Sequence, residues 1–141
     1  MPKIHTAEID IAAPPAAVWA VLVDTPNWPR FDPFCDRIDG VAALGQTIKA
    51  FTKLAPGRAF PVKVLTFDAP KTMVWSGGMP FGLFTGVRTY TITPRGSGAH
   101  FRMTEEFSGP MLALIGKSLP DMTEPFDAFC KGLKAEAEKI Q

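Results

Sequence analysis

Histidine and cysteine are both scarce in this sequence, with two of each. His5 and His100 are far apart, so no histidine-rich metal site is indicated. Cys35 and Cys130 have no motif spacing; we read them as free thiols in a cytoplasmic protein, with a disulfide between them left open. The four serines sit outside any nucleophile elbow, and no glycine-rich phosphate loop opens a helix. Neither metal nor cofactor is therefore expected. Excess charge is also lacking: 15 basic and 14 acidic residues leave a net charge of +1, with no basic tract. That argues against nucleic acid and anionic membrane as partners. The longest apolar run of the first quarter, AAVWAVLV (16–23), is too short for a bilayer, so no integral membrane segment is expected. Met1-Pro2-Lys3 leads into the alternating IHTAEIDI rather than a secretory signal.

What the chain has is hydrophobicity and period. Hydrophobic residues make up 46% of 141, enough for one compact domain, 1–141, and too many for disorder. Residues 4–11 alternate, with His5, Ala7, Ile9 and Ile11 on one face, which predicts a strand. Pro14-Pro15 ends it and suits the first turn of a helix over 15–23 with Val18, Trp19 and Leu22 as its stripe. From 35 to 109, short runs separated by Gly45, Ala55-Pro56-Gly57, Ala69-Pro70 and Gly96-Ser97-Gly98 predict strands at 35–41, 46–54, 59–67, 71–77, 83–94 and 98–109. Short connections favour an antiparallel meander. Leu112, Ile115, Leu119, Met122, Phe126, Phe129, Leu133, Ala137 and Ile140 then recur at helical spacing, interrupted by Pro120 and Pro125. Either one helix is kinked, or a short helix near 110–118 precedes the main one.

The sheet needs cover, and the last helix alone has the apolar length to supply it. The expected fold is α+β: a curved antiparallel seven-stranded sheet wrapped around a long C-terminal helix, with two short helices between strands 1 and 2. Such a sheet leaves a void beside its helix. The segments IDIAAPPAAVWAVLVDTPNWPRFDPF (9–34), TYTITPRGSGAHFRMTEEFSG (89–109) and FDAFCKGLKAEAE (126–138) resemble the START and birch-pollen-allergen helix-grip (SRPBCC) superfamily, most closely its polyketide cyclase/dehydrase and lipid-transport proteins. The resemblance implies the fold and a ligand cavity; the superfamily includes carriers, receptors, cyclases and chaperone activators, and no catalytic signature carries over. The proline pair departs from the superfamily's uninterrupted helix.

The stretch NWPRFDPF (27–34) reads as a structural corner of that fold, with Asn27 capping a short helix begun by Pro29 and Pro33 launching the second strand. Lining of a ligand by Trp28 or Phe31 is the alternative. A hairpin centred between Gly96 and Ser97 sets Ile92 opposite Phe101, Tyr90 opposite Met103 and Arg88 opposite Glu105. Phe101, Met103 and Phe107 mark the concave face, so Arg88 and Glu105 point into it. They form either a register-fixing ion pair or a polar anchor, with Arg88 meeting a carboxylate or enolate. Tyr90, the one tyrosine against 11 phenylalanines, is a core residue or a buried hydrogen-bonding group. GGMPFGLFTG (77–86) is either an apolar gate, with Met79, Phe81, Leu83 and Phe84, or a hairpin connection packed on the barrel end.

The expected ligand-lining set is Trp75, Phe84, Arg88, Tyr90, Phe101, Met103 and Glu105 from the sheet, with Met122, Phe126 and Phe129 from the last helix. The leading function is binding or transport of a hydrophobic small molecule (lipid, quinone, isoprenoid or polyketide-like) by a monomer or weak homodimer. One rival is a cyclase or dehydratase in which Arg88 steadies an enolate and Glu105 or Tyr90 moves protons, with His5 contributing if it reaches the cavity rim. Another is a protein-interaction module with a collapsed cavity.

Overall fold

The structure, a computed structural model, describes residues 3–78, 80–115 and 122–140. The alternating N-terminal segment forms β1 (Lys3–Ile11), with Ile11 buried and Ile4, Thr6, Glu8 and Asp10 exposed. Pro15 opens α1 (Pro15–Val23), at a position whose amide would have no helical partner, and Val18, Trp19 and Leu22 are buried. A 3-10 turn (Thr25–Arg30) leads into β2 (Cys35–Asp39) and β3 (Thr47–Thr52). The sheet continues through β4 (Ala59–Asp68), β5 (Thr72–Gly78), β6 (Thr85–Arg95) and β7 (Gly98–Ser108). A short α2 (Leu112–Ile115) and the long α3 (Thr123–Lys139) complete the chain.

All seven strands pair antiparallel in the order β1-β7-β6-β5-β4-β3-β2. The chain therefore runs as a meander from β2 to β7, and β1 returns to the free edge of β7. The sheet curls into a half-barrel around α3, whose Phe126, Phe129, Leu133 and Ala137 are buried against it. This is the expected helix-grip fold, with α1 and the 3-10 turn as its two short helices. The turn between β6 and β7 holds two residues, Gly96 and Ser97, so the pairs Ile92–Phe101, Tyr90–Met103 and Arg88–Glu105 form as expected. His5 and His100 lie on opposite faces: the outward His100 bonds Asp10 and Glu8, each at 2.7 Å.

Two local expectations are corrected. Pro125 does not interrupt a helix. Of the two readings of the apolar stripe, the described residues fit the second, with α2 separate and α3 starting at Thr123. Pro125 falls in the first turn of α3, where a missing amide breaks no bond. Ile140, at the end of the stripe, is exposed. Leu119 and Pro120, like Met79, lie outside the described residues, as does the side chain of Ile115. Nor does Asn27 cap a helix begun by Pro29. The turn begins at Thr25, because Pro26 already sets its backbone, and the Asn27 amide instead donates to Asp24 Oδ2 at 2.7 Å.

The corner ties three layers together. Trp28 is 3% exposed, and its Nε1 donates to the Leu22 carbonyl at 3.0 Å. Its ring stacks on Trp75 of β5 (5.1 Å) and meets Phe129 of α3 edge-on (4.7 Å). The buried Thr25 hydroxyl donates to the Gly40 carbonyl at 2.9 Å and accepts from the Ala42 amide at 3.2 Å. Against this corner α3 lies so close that a Cβ on Gly132 would stand 2.2 Å from the Phe31 carbonyl oxygen. Helix propensity alone makes Gly132→Ala stabilising by about 1 kcal/mol. Here the backbone clash should reverse the sign, to a loss of about 1–3 kcal/mol by urea unfolding. A gain in stability would show that α3 is free to shift off the corner.

Candidate functional site

Antiparallel partners at equal height form rows across the concave face. The floor is apolar: Ile92, Phe101, Met73, Tyr90 and Met103 are each at most 1% exposed. One level up, the row turns polar. His5 lies beside Glu105, Glu105 beside Arg88, and Arg88 beside Trp75, so four adjacent strands each contribute one member. In the next row Gly77 pairs with Gly86, and Gly86 with Phe107, leaving two strands without side chains. The concavity is thus filled at its floor, and the glycine row lets neighbouring groups close in above the polar row, a Cβ on Gly77 standing 2.8 Å from the Pro61 carbonyl oxygen. Gly86 serves a close approach, since a Cβ there would sit 3.1 Å from the Phe107 ring. Phe107 in turn stacks on Phe84 at 5.5 Å.

At the centre of the polar row, Arg88 Nη2 donates to Glu105 Oε1 at 2.8 Å, with side chains 24% and 14% exposed. Arg88 Nη1 reaches the Tyr90 hydroxyl oxygen at 3.5 Å, the long limit of a hydrogen bond. The guanidinium lies over the Phe126 ring of α3 at 5.0 Å. At the two ends of the row, His5 Nε2 and Trp75 Nε1 are buried with no hydrogen-bond partner among the described residues. Each such atom costs about 1–3 kcal/mol, and native proteins keep few of them.

Burial pushes the Tyr90 phenol well above its ordinary range, outweighing the nearby Arg88 charge, so it remains protonated. Burial also raises the Asp32 carboxyl, against the Phe34 amide it accepts from at 3.0 Å and the charges of Arg88 and Lys53. Cys35 and Cys130 are unpaired, and burial pushes both thiols up to about 12, which keeps them unreactive.

The structure brings Arg88, Glu105, Tyr90, Trp75 and Phe126 together. Phe84 and Met122 are half-buried, while Phe101, Met103 and Phe129 belong to the sealed floor beside Trp28. Asp32 was legible only as the residue ahead of a proline, and nothing in the pattern signals its nearness to Arg88. In the 77–86 segment Phe81 is 98% exposed in a left-handed conformation (φ 61°) and Leu83 is 42% exposed. Phe81 does not pack on the barrel end. The Met111 amide donates to the Leu83 carbonyl at 2.9 Å, joining this loop to the approach to α2.

A second concavity, a groove of about 470 Å³, lies between α1, the 3-10 turn and the end of α3, lined mostly by exposed residues such as Asp24, Asn27, Arg30 and Lys139. Among the described residues no group of three or more His, Cys, Asp or Glu is placed to hold a metal, and no helix is long and apolar enough to cross a membrane.

Arg88→Met strands Glu105 in a largely buried place and should cost about 3–5 kcal/mol by urea unfolding, most of which returns in Arg88→Met/Glu105→Met. A double variant no better than the single would show that the pair is not a closed unit. A raised Asp32 pKa means that ionisation opposes folding. That cost is absent below the unfolded-state value, grows as pH rises through the window up to the folded value, and is complete above it. Asp32→Asn should therefore raise Tm at neutral pH and lose that advantage in strong acid. An equal gain at both pH values would refute the charge as its cause.

A family model described as polyketide cyclase/dehydrase and lipid transport matches residues 3–138. No curated protein matches the chain significantly. Among solved structures, protein MLL2253 of Mesorhizobium loti is similar over 99% of both chains, with 20% identity and a TM-score of 0.74. The Zhui aromatase/cyclase of Streptomyces sp. R1128 is 14% identical over 99% of this chain and 95% of its own, with a TM-score of 0.76. Norcoclaurine synthase of Thalictrum flavum, in complex with dopamine and hydroxybenzaldehyde, is 15% identical over 100% of this chain and 89% of its own, with a TM-score of 0.72. At such identities the likeness is one of fold.

Proposed function

The chain belongs to the polyketide cyclase/dehydrase and lipid transport family, and from that premise we propose that it binds a small hydrophobic molecule with a polar end in the concavity of its sheet. The observation that carries this reading is the polar row, in which two buried nitrogens, His5 Nε2 and Trp75 Nε1, have no hydrogen-bond partner among the described residues. A ligand oxygen meeting either would recover the cost of leaving it unpaired. Phe84, Phe107 and Phe126 supply apolar surface around the row, as a site for a mostly apolar molecule needs. The ligand classes in view are lipid, quinone, isoprenoid and polyketide. The protein is read as a single cytoplasmic domain, monomeric or weakly dimeric, that works without a cofactor.

A second reading, proton-transfer catalysis on such a ligand, is favoured by one observation: His5 stands beside Glu105 on the concave face, giving the row a second titratable side chain next to that carboxylate. His5→Gln should leave a carrier's affinity within about threefold but abolish turnover in an enzyme.

Native mass spectra of freshly purified protein, followed by solvent extraction, test the binding reading. The expected result is a stoichiometric adduct, or saturable one-to-one binding of the uncharged probe N-phenyl-1-naphthylamine. Trp75→Phe, which keeps the ring and removes the donor, should weaken capture of an oxygen-bearing ligand by about fivefold or more. A clean apo mass together with no saturable probe binding would overturn the proposal and favour the collapsed interaction module.

A further inference from the structure

The charges of the polar row are already matched within the protein, which bears on what it accepts. Arg88 is the row's guanidinium, and Glu105 takes it at 2.8 Å. Asp32, at the corner, is near enough for its charge to act on Tyr90 and to feel Arg88. The guanidinium is thus already matched by the Glu105 carboxylate it bonds. A ligand carboxylate placed here would find a cation whose charge is largely cancelled and, in Glu105, a group of its own sign. Surroundings poor in water would screen the repulsion weakly. What the row lacks is hydrogen-bond partners rather than countercharge. Trp75 Nε1 can only donate, and an uncharged oxygen accepts from it without adding charge.

Resting on the binding reading above, we propose that this site selects ligands whose buried polar end is an uncharged oxygen (ketone, quinone, phenol or alcohol) and rejects the matching carboxylates. Glu105 is the residue that sets this preference, because it cancels Arg88. The expectation that Arg88 itself meets a ligand carboxylate is replaced by this assignment.

Two matched pairs test it near neutral pH: 1-decanol with decanoate, and 2-naphthol with 2-naphthoate, each titrated calorimetrically into wild-type protein and Glu105→Gln. Wild type should bind the uncharged member about tenfold or more tighter than the acid. In Glu105→Gln, which keeps the shape but frees Arg88, the acid should gain about tenfold or more, closing or reversing the gap. Wild type binding acid and neutral partner equally would overturn the selection rule while leaving the binding reading intact. An unchanged gap in Glu105→Gln would overturn the role of Glu105. Failure of all four compounds, with N-phenyl-1-naphthylamine also unbound, would sink the binding reading and this inference together. The wild-type ratio needs no variant, so it stays decisive even if Glu105→Gln does not fold.

Discussion

The lodging of Trp28 between sheet and helix is the contact on which the rest of the molecule depends. A half-barrel of antiparallel strands has no intrinsic reason to hold a helix at one depth. Trp28 supplies it by stacking on Trp75 and meeting Phe129 edge-on. The indole N–H is satisfied by the Leu22 carbonyl, so this large ring is buried without leaving a polar atom unpaired. Gly132 completes the arrangement, because only a residue without Cβ lets α3 approach the Phe31 carbonyl so closely. Helix, corner and sheet are therefore one packing unit.

That unit decides where anything else fits. With Trp28, Tyr90, Phe101 and Phe129 filling the floor, the space beside α3 is used up at that end. The character of the interior changes one level up, where a polar row meets a pair of glycines. Phe126, one helical turn before Cys130 on α3, carries the guanidinium of Arg88 on its ring, so the helix shapes both floor and row. The unpaired nitrogens of His5 and Trp75 belong to the same level. An interior optimised for stability alone would hold apolar atoms there. Their presence beside a charge pair fits a site whose stability has been set against recognition.

Sequence patterns reached different parts of this arrangement with different reliability, for a physical reason. The β6–β7 register was legible because a two-residue glycine turn leaves one way to pair the flanking strands, so Arg88 facing Glu105 followed from counting. The inward face of β1 was equally plain from alternation. That His5 stands at the level of Glu105 was not, because it depends on the pairing of β1 with β7 across almost the whole chain. Trp75 shares this limit, since its height against Arg88 is set across the 79–84 connection, whose length does not specify a register. The corner was recognisable from its prolines and aromatics. The residue at which its turn begins was not, because Pro26 and Pro29 both suit a turn start and only tertiary contacts through Thr25 choose between them.

Asp32 joins the corner to the site. Its carboxylate accepts the Phe34 amide, which helps end the turn and start β2, and burial makes the ionised form costly there. A structural role alone would be met by asparagine, which accepts the same bond without the charge. Aspartate adds a carboxyl that interacts electrostatically with Arg88 across the corner. The loop that seats α3 thus also carries a carboxyl within electrostatic reach of the polar row.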